Sequence, residues 1–474
     1  MSTRRSAFEP TTLIDLLRVR ADQQPEQRIY SFLADGETEK EFFTFAQLDL
    51  QARTISATLQ QYGKSGERAL LIYPSGLDFI AAFFGCLYSG IIAVPVYPPS
   101  ATRSDRTLTR FRSIAQNAQP TVILTTTSLA ARVDGLFTQS PELAGAHVIV
   151  TDELPSSNGD QWRDPDISGD SLAFLQYTSG STGAPKGVMV SHANLLHNSE
   201  LIKRYCQHPE GAAHTVTWLP LYHDLGLIGG VLQPLYAGFE STILSPTSFL
   251  QRPIRWLQAI SRYRATLSGG PNFAYDLCAR KVTQEQKETL DLSSWEVAAN
   301  GAEPVRADTL ERFVEAFASC GFRREALVPC YGMAEATLVI SAGQRLGFPG
   351  VWSFKSHDLE RNQAVEAVPG DEINQQVSCG HPFEEQHVVV VDPDTQHQCR
   401  ENHIGEIWVK GPSVAQGYWD RPEETQKTFH ASVADTGAGP FLRTGDLGFF
   451  YEGNLFIAGR LKDLIIIRGS NHYP

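Results

Sequence analysis

Leu175-Gln-Tyr-Thr-Ser-Gly-Ser-Thr-Gly-Ala-Pro-Lys-Gly-Val-Met189 is the stretch on which the reading of this chain turns. Gly180, Gly183 and Gly187 let the backbone bend so that amides converge; Thr178, Ser179, Ser181 and Thr182 add hydroxyl donors, and Lys186 adds a positive charge. Such a turn suits the phosphates of a nucleoside triphosphate. It is not a Walker A loop, because Lys186 lies between Pro185 and Gly187 where that motif needs Gly before the lysine and Ser or Thr after it. No window has the GxGxxG spacing of a dinucleotide loop either. A flexible linker is a poor fit, since Ser171 to Tyr177 reads as a buried strand and Ser191 to Glu200 as a capped helix, which hold the loop at both ends.

Working outward, Thr44 to Leu59 has helical spacing, while Arg68 to Tyr73, Thr121 to Thr125 and His147 to Thr151 read as buried strands. Strands joined by helices imply right-handed crossovers and a mostly parallel sheet. A second series, His214 to Trp218, Ser241 to Leu244 and Ala265 to Ser268, predicts a second sheet of the same class. After Cys379 the pattern shortens to strands with tight turns at His387 to Asp392, Gly405 to Lys410 and Asn454 to Ala458. The predicted fold is α/β: two doubly wound, mostly parallel sheets with helices, plus a small β-barrel-like subdomain.

The 474 residues exceed one simple core, and a formal charge of -13 argues against a nucleic-acid surface. Seven cysteines without CxxC or His-spaced clusters favour a reducing compartment, hence the cytoplasm, and offer no zinc site. The N-terminal stretch has two arginines but no apolar core of secretory length. Phe79 to Pro99 carries no charge over 21 residues, yet Gly85, Gly90, Pro95, Pro98 and Pro99 divide it into helix, turn and strand. That pattern fits a buried unit better than a membrane span.

Further motifs follow the loop in order: Trp218-Leu-Pro-Leu-Tyr-His-Asp-Leu-Gly-Leu-Ile-Gly229, Asn300-Gly-Ala-Glu-Pro304, Tyr331-Gly-Met-Ala-Glu-Ala-Thr337, Arg443-Thr-Gly-Asp-Leu-Gly448 and Gly459-Arg-Leu-Lys-Asp-Leu-Ile465. Together they resemble the adenylate-forming superfamily of acyl-CoA synthetases, luciferases and peptide-synthetase adenylation domains. The wording at Ile92 to Pro99 and the closing Arg468-Gly-Ser-Asn-His-Tyr-Pro474 most resemble the fatty acyl-AMP ligases. The resemblance implies ATP-dependent conversion of a fatty acid to its acyl-adenylate, followed by transfer to the phosphopantetheine thiol of an acyl carrier protein.

It also implies roles. The loop from Thr178 through Gly183, with Lys186, would grip the β- and γ-phosphates, and Glu335 would bind Mg2+, a hard cation that takes oxygen ligands. Tyr331 would lay its ring on adenine, with the Gly301-Ala302-Glu303 backbone opposite and Gly332, Met333 and Ala334 beside it. Thr337 would assist with phosphate. Asp446 would accept the ribose hydroxyls, with Arg460 near the same sugar. His223, followed by Asp224, would stand between ATP and acyl pocket and contact the α-phosphate. Ser268, Gly269, Gly270 and Phe273 would wall the acyl slot.

Two departures bear on function. Lys462 matches the superfamily's hinge, so residues 1–461 are read as the large domain: two α/β subdomains over roughly 1–350 and a β subdomain over roughly 380–461. Residues 462–474 are then hinge and the start of a small C-terminal domain, and without that domain's lysine the chain is expected to adenylate slowly. Between Thr337 and Gly380 lie 42 residues, an insertion whose part near 355–379 is expected to pack through Leu359, Val365 and Val368. In the ligases that the chain resembles, an insertion here is thought to obstruct the arrangement that accepts coenzyme A. A fatty acyl-CoA synthetase, a peptide-synthetase adenylation domain and a non-catalytic module that binds nucleotide and acyl chain and docks carrier protein remain as rivals. Neither nucleic acid nor integral membrane association is expected.

Overall fold

The structure, a computed structural model, describes residues 10–98, 105–178, 184–207, 213–347, 350–467 and 470–472. Residues 179–183 of the glycine-rich loop lie outside the described residues. Six strands form one sheet in the order His147–Val150, Val122–Thr125, Arg68–Ile72, Ile92–Val96, Leu172–Thr178 and Lys186–Ser191. All neighbours are parallel except the last pair, in which Thr178 faces Lys186 across an antiparallel ladder. The expected step from strand through loop to helix is therefore interrupted: the strands on either side of the loop pair antiparallel, and Lys186 opens the second of them. The helix follows one element later as His192–Cys206, capped by Ser191 and Asn194 in a reciprocal box.

The second sheet runs His381–Pro382, Val339–Ala342, Leu327–Gly332, Val297–Asn300, Leu267–Gly270, His214–Thr217, Glu240–Leu244, Arg28–Leu33 and Glu39–Thr44. Its six central strands are parallel, and antiparallel strands close both edges. Arg28–Leu33 precedes the whole first sheet in sequence, so the two sheets interleave along the chain rather than following one another.

The helix Leu77–Ser89 lies between the sheets, touching strands of each. Nearly every residue of it is buried, as an all-round apolar helix requires. It is about 20 Å long, Gly90 ends it in the left-handed region at φ 70°, and Ile92–Val96 returns as a strand. The uncharged stretch is thus a helix, turn and strand inside the core, and no helix among the described residues is long and apolar enough to cross a membrane. Its crossing with Phe45–Tyr62 is close enough that a Cβ at Gly85 would meet Ile55 Cβ at 2.7 Å.

The small subdomain is an open antiparallel sheet of His387–Val391, Gly405–Lys410, Leu442–Tyr451 and Asn454–Arg460. The insertion forms a hairpin, Val351–Lys355 with Ile373–Val377. Its Phe354, Leu359 and Ala364 share a cluster with Leu447, Phe449 and Phe456 of that sheet. The expectation for the insertion holds only for Leu359, at 5% exposure; Val365 and Val368 are 38% and 59% exposed. Trp352 and Phe354 from the first strand and Ala364 from the connection supply the packing beside Leu359, while Val365 and Val368 face away from that cluster.

Candidate active site

Ligands of open parallel sheets sit beyond the carboxyl ends of the strands, and the motif residues gather there. Thr178 ends its strand opposite Lys186, whose returning strand is covered by residues 416–419: Met189 N donates to the Gly417 carbonyl at 2.9 Å and Trp419 N to that of Gly187 at 2.8 Å. This covering brings Tyr418 and Glu424 to Lys186. The ammonium lies 3.1 Å from Glu424 Oε2 and 4.8 Å from the centre of the Tyr418 ring.

Tyr418 in turn donates to Glu335 Oε1 at 2.8 Å. Glu335 occupies a single 3-10 turn, Ala334–Ala336, after the strand Leu327–Gly332, and is 7% exposed. Burial pushes its carboxyl above the ordinary range against the Tyr418 bond, and the charges of Asp224 and Asp446 push the same way. Asp224 and Asp446 thus act on Glu335 electrostatically from two other segments.

Asp446 sits on Leu442–Tyr451 opposite Arg460. Its Oδ2 accepts from the Tyr331 hydroxyl at 2.8 Å, and Oδ1 lies 3.5 Å from Arg460 Nε. Burial raises its pKa, while the Tyr331 bond and the charges of Arg460 and Lys462 oppose that rise. The turn carrying Asp446 is held by the buried Glu406, which accepts from Arg443 Nη2 at 2.6 Å, Trp408 Nε1 at 2.9 Å and Gly445 N at 3.1 Å. His223 Nδ1 meets Asp224 Oδ1 at 2.6 Å, and its ring is 55% exposed. Burial lowers the imidazole's pKa, but the bond to and charge of Asp224 outweigh it, so the net direction is upward.

Other expected residues are placed differently. Tyr331 is 7% exposed with its hydroxyl spent on Asp446, so it can offer a nucleotide only part of a ring face. Thr337 is 1% exposed and donates to the Ser413 carbonyl at 2.6 Å; its hydroxyl is committed inside the core and not to a phosphate. Ala302 is exposed with φ 65°, and Glu303 accepts from Phe273 N at 2.6 Å, so the 301–303 turn is tied to the first turn of the helix Asn272–Lys281. Gly332, Met333 and Ala334 lead directly into the Glu335 turn.

An apolar cavity of about 100 Å³ runs beneath these strand ends between the helix His192–Cys206, the π-helix Leu225–Leu232 and the second sheet. Of the residues named for an acyl slot, Ser268 and Gly269 line it. Gly270 and Phe273 do not: strand alternation turns Gly270 toward Trp218, and Phe273 packs edge-on against the same indole. Thr217, Leu225, Gly229, Gly230 and Leu338 contribute walls that sequence reasoning missed. Tyr418 and Glu424 were missed as well, although Gly417-Tyr-Trp-Asp-Arg-Pro-Glu-Glu424, with Pro422 and two acids opening the helix Pro422–Phe429, is a legible signal.

The family of AMP-binding enzymes matches residues 17–419. The chain is 49% identical over 470 residues to a medium-chain-fatty-acid–[acyl-carrier-protein] ligase of Moorena producens, covering 98% of this chain and 79% of the relative. A ligase described in the same words from Teredinibacter turnerae is 37% identical, with 98% and 78% covered. The fatty acyl-adenylate ligase of Legionella pneumophila, solved in complex with acyl adenylate and pyrophosphate, superposes with a TM-score of 0.90 at 42% identity over 98% of this chain and 79% of that one.

Proposed function

The chain belongs to the AMP-binding enzyme family, and on that premise we propose that it activates a fatty acid as its acyl-adenylate and passes the acyl group to an acyl carrier protein. One observation carries the reading: an uncharged cavity runs under the strand ends at which Lys186, Glu335 and Asp446 converge. A chain of methylenes fits the first and a nucleoside triphosphate the second, with the carboxylate where they meet. In the reaction a carboxylate oxygen attacks the α-phosphorus of ATP, and the bond to the bridging oxygen breaks to release pyrophosphate. In the second step the phosphopantetheine thiol, losing its proton, attacks the acyl carbonyl and AMP leaves.

Lys186 takes the β- and γ-phosphates. Its present partner Glu424 is 42% exposed and Lys186 itself 36%, and pairs of that kind are worth roughly 0 to 1 kcal/mol. Polyphosphate therefore displaces Glu424 at little cost. Asp446, oriented by Tyr331, Arg460 and the Glu406-braced turn, accepts the ribose hydroxyls. His223 is tied to Asp224 through Nδ1, which leaves Nε2 to meet the α-phosphate as charge builds there. Glu335 fits Mg2+: it is a buried oxygen donor with one hydroxyl partner, pushed toward its neutral form by burial and two neighbouring acids, and a cation reverses that balance. Bound there, Mg2+ would neutralise phosphate oxygens.

Lys462, in the 3-10 turn Leu461–Asp463 directly after the last strand of the small sheet, serves in this reading as the hinge to a further small domain. Discrimination between carrier protein and coenzyme A rests with the 351–377 hairpin, braced on that sheet beside the hinge. The cytoplasm is the proposed location. The test is incubation with ATP, Mg2+ and fatty acids of graded length, with detection of acyl-AMP and pyrophosphate and then of transfer to holo carrier protein or coenzyme A. Absence of acyl-AMP with every fatty acid would overturn the reading.

A further inference from the structure

We infer that the far end of the acyl cavity is a hydrogen-bonding site, made by Gln233 and Thr215, that selects an acyl chain bearing a hydroxyl at its distal end. The inference rests on the proposed acyl role of the cavity and deepens it. Gln233 and Thr215 both line the cavity and are 3% and 2% exposed. Gln233 Oε1 and Thr215 Oγ1 have no hydrogen-bond partner among the described residues. Buried polar atoms are ordinarily paired, so two unpaired ones lining a single cavity, one from the sheet and one from the helical wall, ask for a ligand.

The other polar side chains of the lining find partners inside the protein. Tyr205 donates to the Ala342 carbonyl at 2.9 Å, Thr217 Oγ1 accepts from Leu219 N at 3.3 Å, and Ser268 Oγ accepts from Trp256 Nε1 at 2.7 Å on the opposite face of the sheet. The contrast singles out Gln233 and Thr215 within the same cavity.

Their place is distal. The strand His214–Thr217 runs toward Trp218 and then His223 at the nucleotide side. Thr215 and Thr217 share the cavity face, and the two-residue step back from Thr217 to Thr215 leads about 7 Å away from the strand end. Gln233 opens the helix Gln233–Ala237 immediately after the π-helix that carries Gly229 and Gly230. A chain entering carboxylate-outward therefore meets Leu225, Gly229 and Thr217 before it reaches the polar end.

The donor and acceptor set defines the ligand. Gln233 Oε1 accepts, and Thr215 Oγ1 both donates and accepts. A hydroxyl can donate to the first and accept from the second; a methyl does neither, and a keto oxygen cannot donate. Among the described residues no Lys, Arg, Asp or Glu lines the cavity, so a charged terminus would be buried without a counter-charge from them. A site built to bond a hydroxyl discriminates strongly against the analogue that lacks it.

The experiment is calorimetric titration of the full chain with 5′-O-(N-acylsulfamoyl)adenosines, which mimic acyl-adenylate. Each chain length is tested with a methyl and with an ω-hydroxyl terminus, on wild type, Gln233→Leu and Thr215→Val. At the length that spans the cavity the hydroxylated probe should bind at least about tenfold more tightly, and either substitution should bring the ratio of Kd values to about one or below. Short methyl-terminated probes should bind all three proteins equally. A methyl probe that binds as well as its hydroxylated partner at every length, or a hydroxyl preference that survives both substitutions, overturns the inference alone. Failure of every probe to bind overturns the acyl-adenylate reading and the inference with it. Should Gln233→Leu fail to fold, the near-isosteric Thr215→Val decides.

Discussion

The proposed nucleotide end and the proposed acyl end of this site are built from opposite materials. At the first, each functional group is charged or titratable and is held by a partner: from another segment for Lys186 by Glu424, Glu335 by Tyr418 and Asp446 by Tyr331 and Arg460, and from the next residue for His223 by Asp224. At the second, much of the wall consists of side chains that are small or missing, with Gly229, Gly230, Gly269 and Ala299 making room between bulkier neighbours. Chemistry at one end depends on what is present, and room for the chain at the other on what is absent. Changes at the two ends should therefore separate cleanly in an assay that varies chain length.

The largest effect is expected at the nucleotide end. Glu335→Gln and Lys186→Ala each remove charge-assisted contacts worth about 1.5 to 3 kcal/mol, so acyl-AMP formation should fall roughly ten- to hundredfold. The fall should be the same factor for every fatty acid, measured by pyrophosphate release with protein shown by circular dichroism to be folded. A loss that grew or shrank with chain length would break the separation.

Filling the acyl end should do the reverse. A Cβ at Gly229 would meet only Leu225 at 3.5 Å and Leu338 at 3.9 Å, ordinary contacts, so Gly229→Val projects into the cavity without a backbone clash. Each methylene denied burial is worth about 0.8 kcal/mol, close to fourfold, and two lost methylenes should lower kcat/KM for the longest acids by about fifteenfold. The shortest acids and the KM for ATP should stay as in wild type; an equal loss at all lengths would show that the cavity does not hold the chain.

The same contrast explains what the sequence disclosed. Glu335, Asp446 and Lys186 were legible because each lies in a short contiguous motif whose residue types suit phosphate, metal or sugar, and all reach one cleft. The parallel sheets were legible from apolar runs separated by helical patterns. The cavity was not, because its glycines and alanines come from many elements and a missing side chain leaves no pattern. Lys186–Ser191 escaped notice as a strand because its short apolar run, Val188 to Val190, sits between a glycine-rich loop and a helix cap. Val365 and Val368 were misread because apolar identity does not reveal which face of a hairpin meets the core.

A smaller effect should follow from Tyr418→Phe. The ring beneath Lys186 remains while the hydroxyl on Glu335 is lost, which removes a bond worth about 0.5 to 1.5 kcal/mol. A two- to tenfold reduction in acyl-AMP formation, again independent of chain length, is expected. Unchanged rates would mean that Glu335 needs no orienting partner once nucleotide is bound.

The smallest effect concerns pH and tests whether titration belongs to the nucleotide end alone. In the folded chain Asp224 holds the His223 pKa above its ordinary value against the pull of burial. A histidine so raised contributes stability that is complete below its unfolded pKa and is lost as pH rises through the folded value. The imidazolium's attraction for an anionic ligand is lost over the same rise. Asp224→Asn removes the opposing charge, so burial prevails and His223 should titrate below the ordinary histidine value, which moves the loss of affinity for an acylsulfamoyl-adenosine to lower pH. The change in Kd near neutrality should be only a few-fold, because the ring is 55% exposed and partly screened. NMR titration of the His223 ring in wild type and Asp224→Asn reads the shift directly, and equal pKa values in the two proteins would show that the 2.6 Å contact does not govern the imidazole.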